Sequence, residues 1–370
     1  MLSENGIPVG INGIGGRIGS NTLRVMIEHP TLAFNVIAGN DIGLDPKNPA
    51  QNFVQVKACD TTFGNWPCEM GDSGDILNLF TRLKRFSVRL FAEKDPGKIP
   101  WGKIGVKGVA ECTGVFRKRK TPEKPGYDSN LDGGAQFIAI SAPAKDEVLT
   151  VVHGTHTTPL KGQPLVSAAS CTSGSIAFPL KVILDHKKEW GFVGGDVNTI
   201  HAYTAGEQQL QDYPQPITDG CRRMSAGAAN IIPTNTGAAK AVPKLDGIGS
   251  DMEGISFIGD AWRVPVISGS ATLMHLVLEG RPHLNDVLEL FRKSATSEFN
   301  GKFAVNEDPN LSPVGMPLVS SHIIRRPESA IVDVEYCKNP CPGLYRFVSW
   351  YGNEWGYVYR LVEALHEQCS

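Results

Sequence analysis

A cysteine stands among small and hydroxyl side chains in Val166-Ser167-Ala168-Ala169-Ser170-Cys171-Thr172-Ser173-Gly174-Ser175. The apolar-ended segment before it, with residues 176–184 after it, which suit a helix despite Pro179, makes a strand-to-helix turn. Such a turn delivers a side chain to a helix N-terminus, where unpaired N–H groups and the helix dipole favour a thiolate over a thiol. A small buried cysteine in a turn would look the same from this segment alone. Residues 197–204 alternate as a strand and carry His201, a candidate base, although a lone strand histidine is more often structural. A long polar loop then leads to Arg222-Arg223. Residues 230–237 form an anion-compatible turn ahead of a helix at 238–242. Arg263 sits in a strand-like run, where a purely structural role would need a carboxylate partner. Arginines beside threonine and serine hydroxyls are what a phosphorylated substrate requires.

The elements that would carry a cofactor lie earlier in the chain. Val9-Gly10-Ile11-Asn12-Gly13 reads as a buried strand entering a glycine turn, Ile14-Gly15-Gly16-Arg17-Ile18-Gly19 follows, and residues 21–27 continue as a helix. Strand, glycine turn and helix N-terminus make a cradle for a pyrophosphate. The strict G-x-G-x-x-G spacing is not met: Gly13 and Gly15 fit its first two places, Ile18 falls on the third, and Gly19 comes one residue late. A second strand at 34–38 ends near Asp41, where an acid can hold a ribose and repel a 2′-phosphate, which favours NAD over NADP. A turn or cap aspartate would have the same place. Residues 86–91 alternate as a strand, and 108–112 and 137–140 read as buried strands ending at Thr113 and Ser141. Ligands of an open parallel sheet lie off such carboxyl ends. Toward the C-terminus, residues 349–357 are dense in aromatics around Asn353, and 358–365 form an amphipathic helix.

A chain of 370 residues, 41% hydrophobic and 20% charged, suits a globular protein with two sizeable cores. Its net charge of −2 gives no electrostatic case for nucleic acid or an anionic membrane. The eight cysteines show no paired metal spacing, and Cys337-x3-Cys341 beside prolines reads as a turn, so no metal is expected. They are expected to be reduced thiols of an intracellular protein. The first residues lack a leader pattern, and no run approaches the roughly 18 apolar residues of a membrane span, so a cytoplasmic location is expected.

Seven segments, in order, resemble the phosphorylating glyceraldehyde-3-phosphate dehydrogenase family over nearly the whole chain. They are Ile11-Asn12-Gly13, residues 95–102, Ile140-Ser141-Ala142-Pro143, Ala169-Ser170-Cys171-Thr172, residues 230–242, Arg263-Val264-Pro265 and residues 349–357. The resemblance implies an α/β fold: a Rossmann dinucleotide-binding domain over residues 1–170, completed by a C-terminal helix at 354–370, and an α+β catalytic domain over 171–353 with a mostly antiparallel, mixed sheet. It implies NAD as cofactor, glyceraldehyde 3-phosphate and inorganic phosphate as substrates, and no nucleic-acid or membrane partner. By position, Cys171 matches the nucleophile and His201 the base. The thiolate would attack the aldehyde, and the resulting thiohemiacetal would be oxidised to a thioester that phosphate cleaves. Thr204 and Arg263 match the site for the substrate's C3 phosphate, and Ser170, Arg223 and Thr236 the inorganic-phosphate site, with Thr172 beside substrate oxygen. Asn12, Gly13, Gly15, Arg17, Ile18 and Asp41 match pyrophosphate and ribose contacts, Thr113 and Ser141 the cofactor's edge, and Asn353 the group orienting the nicotinamide carboxamide. The loop 203–223 resembles a segment that reaches a neighbouring subunit's cofactor, which implies a homotetramer. The chain departs from the family at the enlarged glycine turn, at Ala168 or Ala169 and Gly174 where asparagines are usual, and at Ser225 in place of an arginine. Two alternatives follow: an erythrose-4-phosphate dehydrogenase, and a non-catalytic relative that binds nucleotide or RNA.

Overall fold

The computed structural model describes residues 6–29, 31–66, 68–82, 84–207, 219–307 and 317–370. Contacts divide the chain into two units: Met1–His153 with Thr158–Ala169 and Val358–Ser370, and Gly154–Thr157 with Ser170–Tyr357.

In the first unit, the described residues form a nine-stranded sheet. Its spatial order is Leu149–Thr150, Leu165–Ser167, Phe137–Ile140, Gly108–Glu111, Ile7–Asn12, Phe34–Asn40, Arg85–Phe91, Ile76–Phe80, Glu69–Ser73. The first seven strands run parallel and the last two add antiparallel pairs. Val9, Ile11, Val36, Val109 and Ile138 are fully buried, as strands covered on both faces must be. The chain winds outward from Ile7–Asn12 first to one side and then to the other. That reversal opens a crevice at the carboxyl ends of Ile7–Asn12 and Gly108–Glu111.

In the second unit, the sheet runs Ile232–Asn235, Ser256–Val264, Phe192–Ala202, Ser270–Leu278, Leu344–Tyr351, Ala330–Val332, Phe303–Val305, with Lys338–Cys341 also pairing on Leu344–Tyr351. Most pairs are antiparallel, while Phe192–Ala202 runs parallel to Ser256–Val264. The strand bearing His201 begins at Phe192, earlier than its alternation indicates, because Gly194 and Gly195 carry no side-chain pattern. A Cβ at Gly195 would stand 2.6 Å from the Leu276 side chain. The segment read as a turn around Cys341 is instead an edge strand. The helix Cys171–Asp185 is buried on nearly every side and keeps Pro179 within it. Phe178 anchors it, packing edge-on against Phe299 with ring centres 5.2 Å apart and stacking with Phe303 at 6.2 Å. No described helix is long and apolar enough to cross a membrane.

Candidate active site

Cys171 opens its helix, and the two residues before it fix the entry. Ala169 takes a left-handed φ of 51°, a conformation that costs a residue with a Cβ roughly 1–2 kcal/mol. Ser170 is the N-cap: its Oγ accepts from the Ser173 amide at 3.1 Å and lies 2.8 Å from Ser173 Oγ. Thr172 Oγ1 lies 3.0 Å from the Tyr351 hydroxyl, which is 2.6 Å from Thr199 Oγ1 two residues before His201. Tyr351 is fully buried, so this hydroxyl chain ties the nucleophile's helix to the histidine's strand. Gly174 faces Ser329, whose Cβ lies 3.2 Å from where a Gly174 Cβ would stand. That side chain fills the space beside the one position whose missing asparagine the sequence left unexplained.

Cys171 Sγ and His201 Nε2 are 3.7 Å apart. Three groups surround His201 Nδ1: the Ala202 carbonyl at 2.6 Å, Arg263 Nη1 at 2.8 Å and Asn353 Nδ2 at 3.2 Å. One is an acceptor and two are donors, so each neutral tautomer finds a partner. With the proton on Nδ1, the ring donates to Ala202 and offers its Nε2 lone pair to the sulfur. With the proton on Nε2, Nδ1 accepts from Arg263 and Nε2–H points at a thiolate. Burial, with the Arg263 charge beside it, pushes His201 down to about 4. Burial pushes the Cys171 thiol up, although Arg263 and hydrogen bonds from Thr172 work the other way and the residue keeps some solvent access. Desolvation thus opposes the charged form of each partner, while the helix N-terminus and Arg263 favour the thiolate.

Arg263 reaches His201 because parallel pairing sets the two residues side by side in register. Its carboxylate partner is Glu207, which the sequence reading did not single out. The Glu207 side chain is wholly inaccessible, with Oε1 2.7 Å from Arg223 Nη2 and 3.7 Å from Arg263 Nε. Its Oε2 accepts from the Thr204 amide at 2.8 Å and from Thr204 Oγ1 at 2.9 Å. Burial opposes its charge, but Arg263, the Thr204 amide and Arg223 together hold the carboxyl below its usual range. The Thr-x-x-Glu spacing of a capping box was the one signal for it in the sequence. Thr204, Arg223 and Arg263 are thus brought together. Ser170 and Thr236 are not joined to them: among the described residues, each hydroxyl serves its own turn, Thr236 Oγ1 accepting from the Ala238 amide at 3.2 Å. Asn353 is buried, accepting from the Gly269 amide at 2.9 Å and donating to Ser270 Oγ at 2.6 Å. Of the loop 203–223, residues 208–218 lie outside the described residues.

In the first unit, the dinucleotide residues gather at the sheet's carboxyl crevice. Gly13 has φ +84°, and a Cβ there would meet the Thr113 amide nitrogen at 2.7 Å. A Cβ at Gly19 would stand 1.9 Å from the Gly13 carbonyl oxygen. Gly19, one place late in the motif, thus serves the third glycine's purpose of close helix packing, and the extra residue is absorbed in the turn. The helix Arg17–Glu28 starts at Gly16 with no side-chain cap. Asp41 Oδ2 accepts from the Gly15 amide at 3.0 Å, and Arg17 pairs with Asp60 at 2.6 Å. Ile18 lies in the helix's first turn, its carbonyl accepting from Thr22 Oγ1 at 2.8 Å. Asn12 donates to the buried Glu111 at 2.6 Å, Thr113 Oγ1 donates to the same carboxyl at 2.5 Å, and the Ser141 amide donates to the Glu111 carbonyl at 2.9 Å. A turn this free of Cβ atoms, opening on an uncapped helix, fits the pyrophosphate of a dinucleotide.

These two sites, a cysteine–histidine pair with clustered arginines and a dinucleotide cradle, define an aldehyde-oxidising dehydrogenase. Residues 170–353 match the model of the glyceraldehyde 3-phosphate dehydrogenase C-terminal domain, and residues 7–119 match that family's NAD binding domain. Among curated relatives, glyceraldehyde-3-phosphate dehydrogenase 2 of Streptomyces avermitilis is 36% identical over 364 residues, covering 96% of this chain and 97% of its own. The glyceraldehyde-3-phosphate dehydrogenase of Mycobacterium bovis is 36% identical over 369 residues, covering 97% of each chain. That of Streptomyces coelicolor is 35% identical over 366 residues, covering 96% of this chain and 97% of its own. The chain belongs to the glyceraldehyde-3-phosphate dehydrogenase family, and its N-terminal unit is an NAD-binding domain.

Proposed function

We propose that this chain is the NAD-dependent, phosphorylating glyceraldehyde-3-phosphate dehydrogenase of a glycolytic or gluconeogenic route, with Cys171 as nucleophile and His201 as base. The observation that carries the residue roles is the 3.7 Å approach of Cys171 Sγ to a His201 held neutral by burial. Cys171 gives its proton to Nε2 and attacks the aldehyde carbon, and Nε2 passes that proton on to the carbonyl oxygen, forming a thiohemiacetal and restoring the neutral imidazole. The Cys171 amide at the helix N-terminus would donate to the developing oxyanion. His201 then takes the hydroxyl proton as that carbon becomes a thioester, and inorganic phosphate displaces the thiolate to release the acyl phosphate. NAD, when bound, accepts the hydride. Asn12, Gly13, Gly15, Arg17, Ile18 and Asp41 would hold its pyrophosphate and ribose, and Thr113 and Ser141 its edge. Asn353 would need to exchange its present partners to reach the nicotinamide amide.

Thr204 and Arg263 are assigned to the substrate's C3 phosphate, and Ser170, Arg223 and Thr236 to inorganic phosphate, with Thr172 beside substrate oxygen. On this reading, residues 1–170 with 354–370 serve as the NAD-binding domain and 171–353 as the catalytic one. A homotetramer is supported by one face of the second unit's sheet. Ile200 and Trp262 are neighbours in register there, each 44% exposed, and Ile258 on the same face is 63% exposed. A second copy of the same face is the occupant that would cover these side chains. A cytoplasmic location is supported by the eight cysteines, all of which are free.

The test is NADH formation from glyceraldehyde 3-phosphate with and without inorganic phosphate. Turnover should require phosphate and be lost in Cys171→Ser. Phosphate-independent turnover would favour the hydrolytic erythrose-4-phosphate type, and unchanged NAD reduction in Cys171→Ser would overturn the assignment of the nucleophile.

A further inference from the structure

Every group that the proposed reading gives to the C3 phosphate, and the arginine it gives to inorganic phosphate, converges on one carboxylate. Glu207 takes the Thr204 amide and hydroxyl on Oε2, and has Arg223 and Arg263 on Oε1. The arrangement is built by sequence around it. Gly206 leaves room for Arg223, whose Nη2 lies 2.6 Å from where a Gly206 Cβ would stand. Gly227 leaves room for Glu207 itself, whose Cβ lies 2.9 Å from that glycine's missing Cβ. Glu207 Oε1 and Arg263 Nε are both buried and make no hydrogen bond, so the carboxylate holds the guanidinium groups by charge alone and leaves a donor of Arg263 open. Two guanidinium groups against one carboxylate leave an excess positive charge, and a threonine amide and hydroxyl point at the place where that charge is partly neutralised. The donor set is that of a phosphate oxygen.

We propose that Glu207 is an internal anion of the active site: a carboxylate that takes the Thr204 donors and ion-pairs with Arg223 and Arg263 when no phosphate is present, and competes with phosphate for these groups. This inference rests on the assignment of Thr204, Arg263 and Arg223 to those sites. Glu207 keeps two like charges together within a buried site, which without it would repel each other and splay. The same charge opposes an incoming phosphate dianion, because carboxylate and phosphate cannot share the Thr204 donors. Binding of a phosphate at Thr204 and Arg263 releases the Glu207 carboxylate to Arg223 alone. The carboxylate thereby links the two anion sites and sets how tightly either is filled.

The experiment compares wild type, Glu207→Gln and Arg263→Leu by the concentration of inorganic phosphate, and separately of sulfate, needed to raise Tm, and by the KM for phosphate. Glutamine keeps the shape and one acceptor for the Thr204 amide but removes the charge. Glu207→Gln should melt lower than wild type without anions and bind phosphate and sulfate at least about 5-fold more tightly, a typical size for coupling between sites. Its KM for phosphate should fall in parallel. Glu207→Asp, which keeps the charge, should leave anion affinity closer to wild type, and it serves as the second variant if glutamine prevents folding. Equal or weaker anion binding in Glu207→Gln, while Arg263→Leu abolishes it, would overturn the competing role of Glu207 and leave the phosphate assignment standing. Unchanged anion binding in Arg263→Leu would instead overturn the phosphate assignment on which the proposal rests.

Discussion

On the proposed assignments, the two units would hold phosphate groups in different ways. In the first, the donors belong to the backbone: a glycine turn and an uncapped helix start. In the second, the donors are side chains, Arg223 and Arg263, drawn together by the buried carboxylate of Glu207. A backbone cradle is set by space, so it fails when atoms are added. A cluster of side chains is set by charge, so it responds when charge is removed. The same ligand chemistry is therefore exposed to opposite kinds of mutation in the two halves of one chain.

The sharpest way to break the comparison is Gly19→Ala. Its Cβ would fall 1.9 Å from the Gly13 carbonyl oxygen, a backbone atom that cannot turn aside. We expect a loss of about 1–3 kcal/mol or more in stability and a marked loss of NAD affinity, read by denaturant unfolding and by titration of the cofactor. Wild-type affinity in a folded Gly19→Ala protein would separate the glycine turn from cofactor binding.

His201→Asn tests the side-chain half. The loss of a positioned base should lower kcat by about 10²–10⁴-fold. It should also change the response to acid. His201 titrates near 4 when folded, pushed down chiefly by burial and then by Arg263, against about 6.5 in the unfolded chain. Between those values the unfolded chain binds more protons, so stability rises with pH across the window and is lost as pH falls through it. At about 1.4 kcal/mol per pH unit, the wild type should lose roughly 3 kcal/mol between pH 6.5 and 4 through this residue. The variant's unfolding free energy should be flatter over the same range. An identical slope in both proteins would remove His201 from the acid response.

The smallest expected effect is at Gly174. An asparagine there must displace Ser329, whose Cβ lies 3.2 Å from the glycine's missing Cβ. Gly174→Asn should therefore be less harmful when combined with Ser329→Gly, with a coupling of about 0.5 kcal/mol or more from thermal melts of the four proteins. Strict additivity would mean that Ser329 does not fill the asparagine's place.

The parts legible in the sequence were those written in local chemistry. The glycine turn, the strand ends at Thr113 and Ser141, and the small-residue turn before Cys171 each lie within one short stretch. Family likeness supplied the pairing of Cys171 with His201, which no local pattern encodes. A carboxylate partner was named only as what a structural role for Arg263 would need, and the residue that supplies one, Glu207, was not legible, since β pairing and a loop bring it there from another part of the chain. Gly19 looked misplaced because a motif counts residues, whereas helix packing counts distance.

The strand Phe192–Ala202 carries one further consequence. His201 is buried while its neighbour Ile200 is 44% exposed, and the next strand repeats the division with Arg263 at 13% side-chain exposure and Trp262 at 44%. The two faces are written into one strand as odd and even positions. A point substitution alters one face and leaves the other readable, but a one-residue deletion upstream of His201 exchanges them, offering alanine to the cysteine and imidazole to the outside. For this segment the reading frame of side chains is a stricter constraint than the identity of most of its residues.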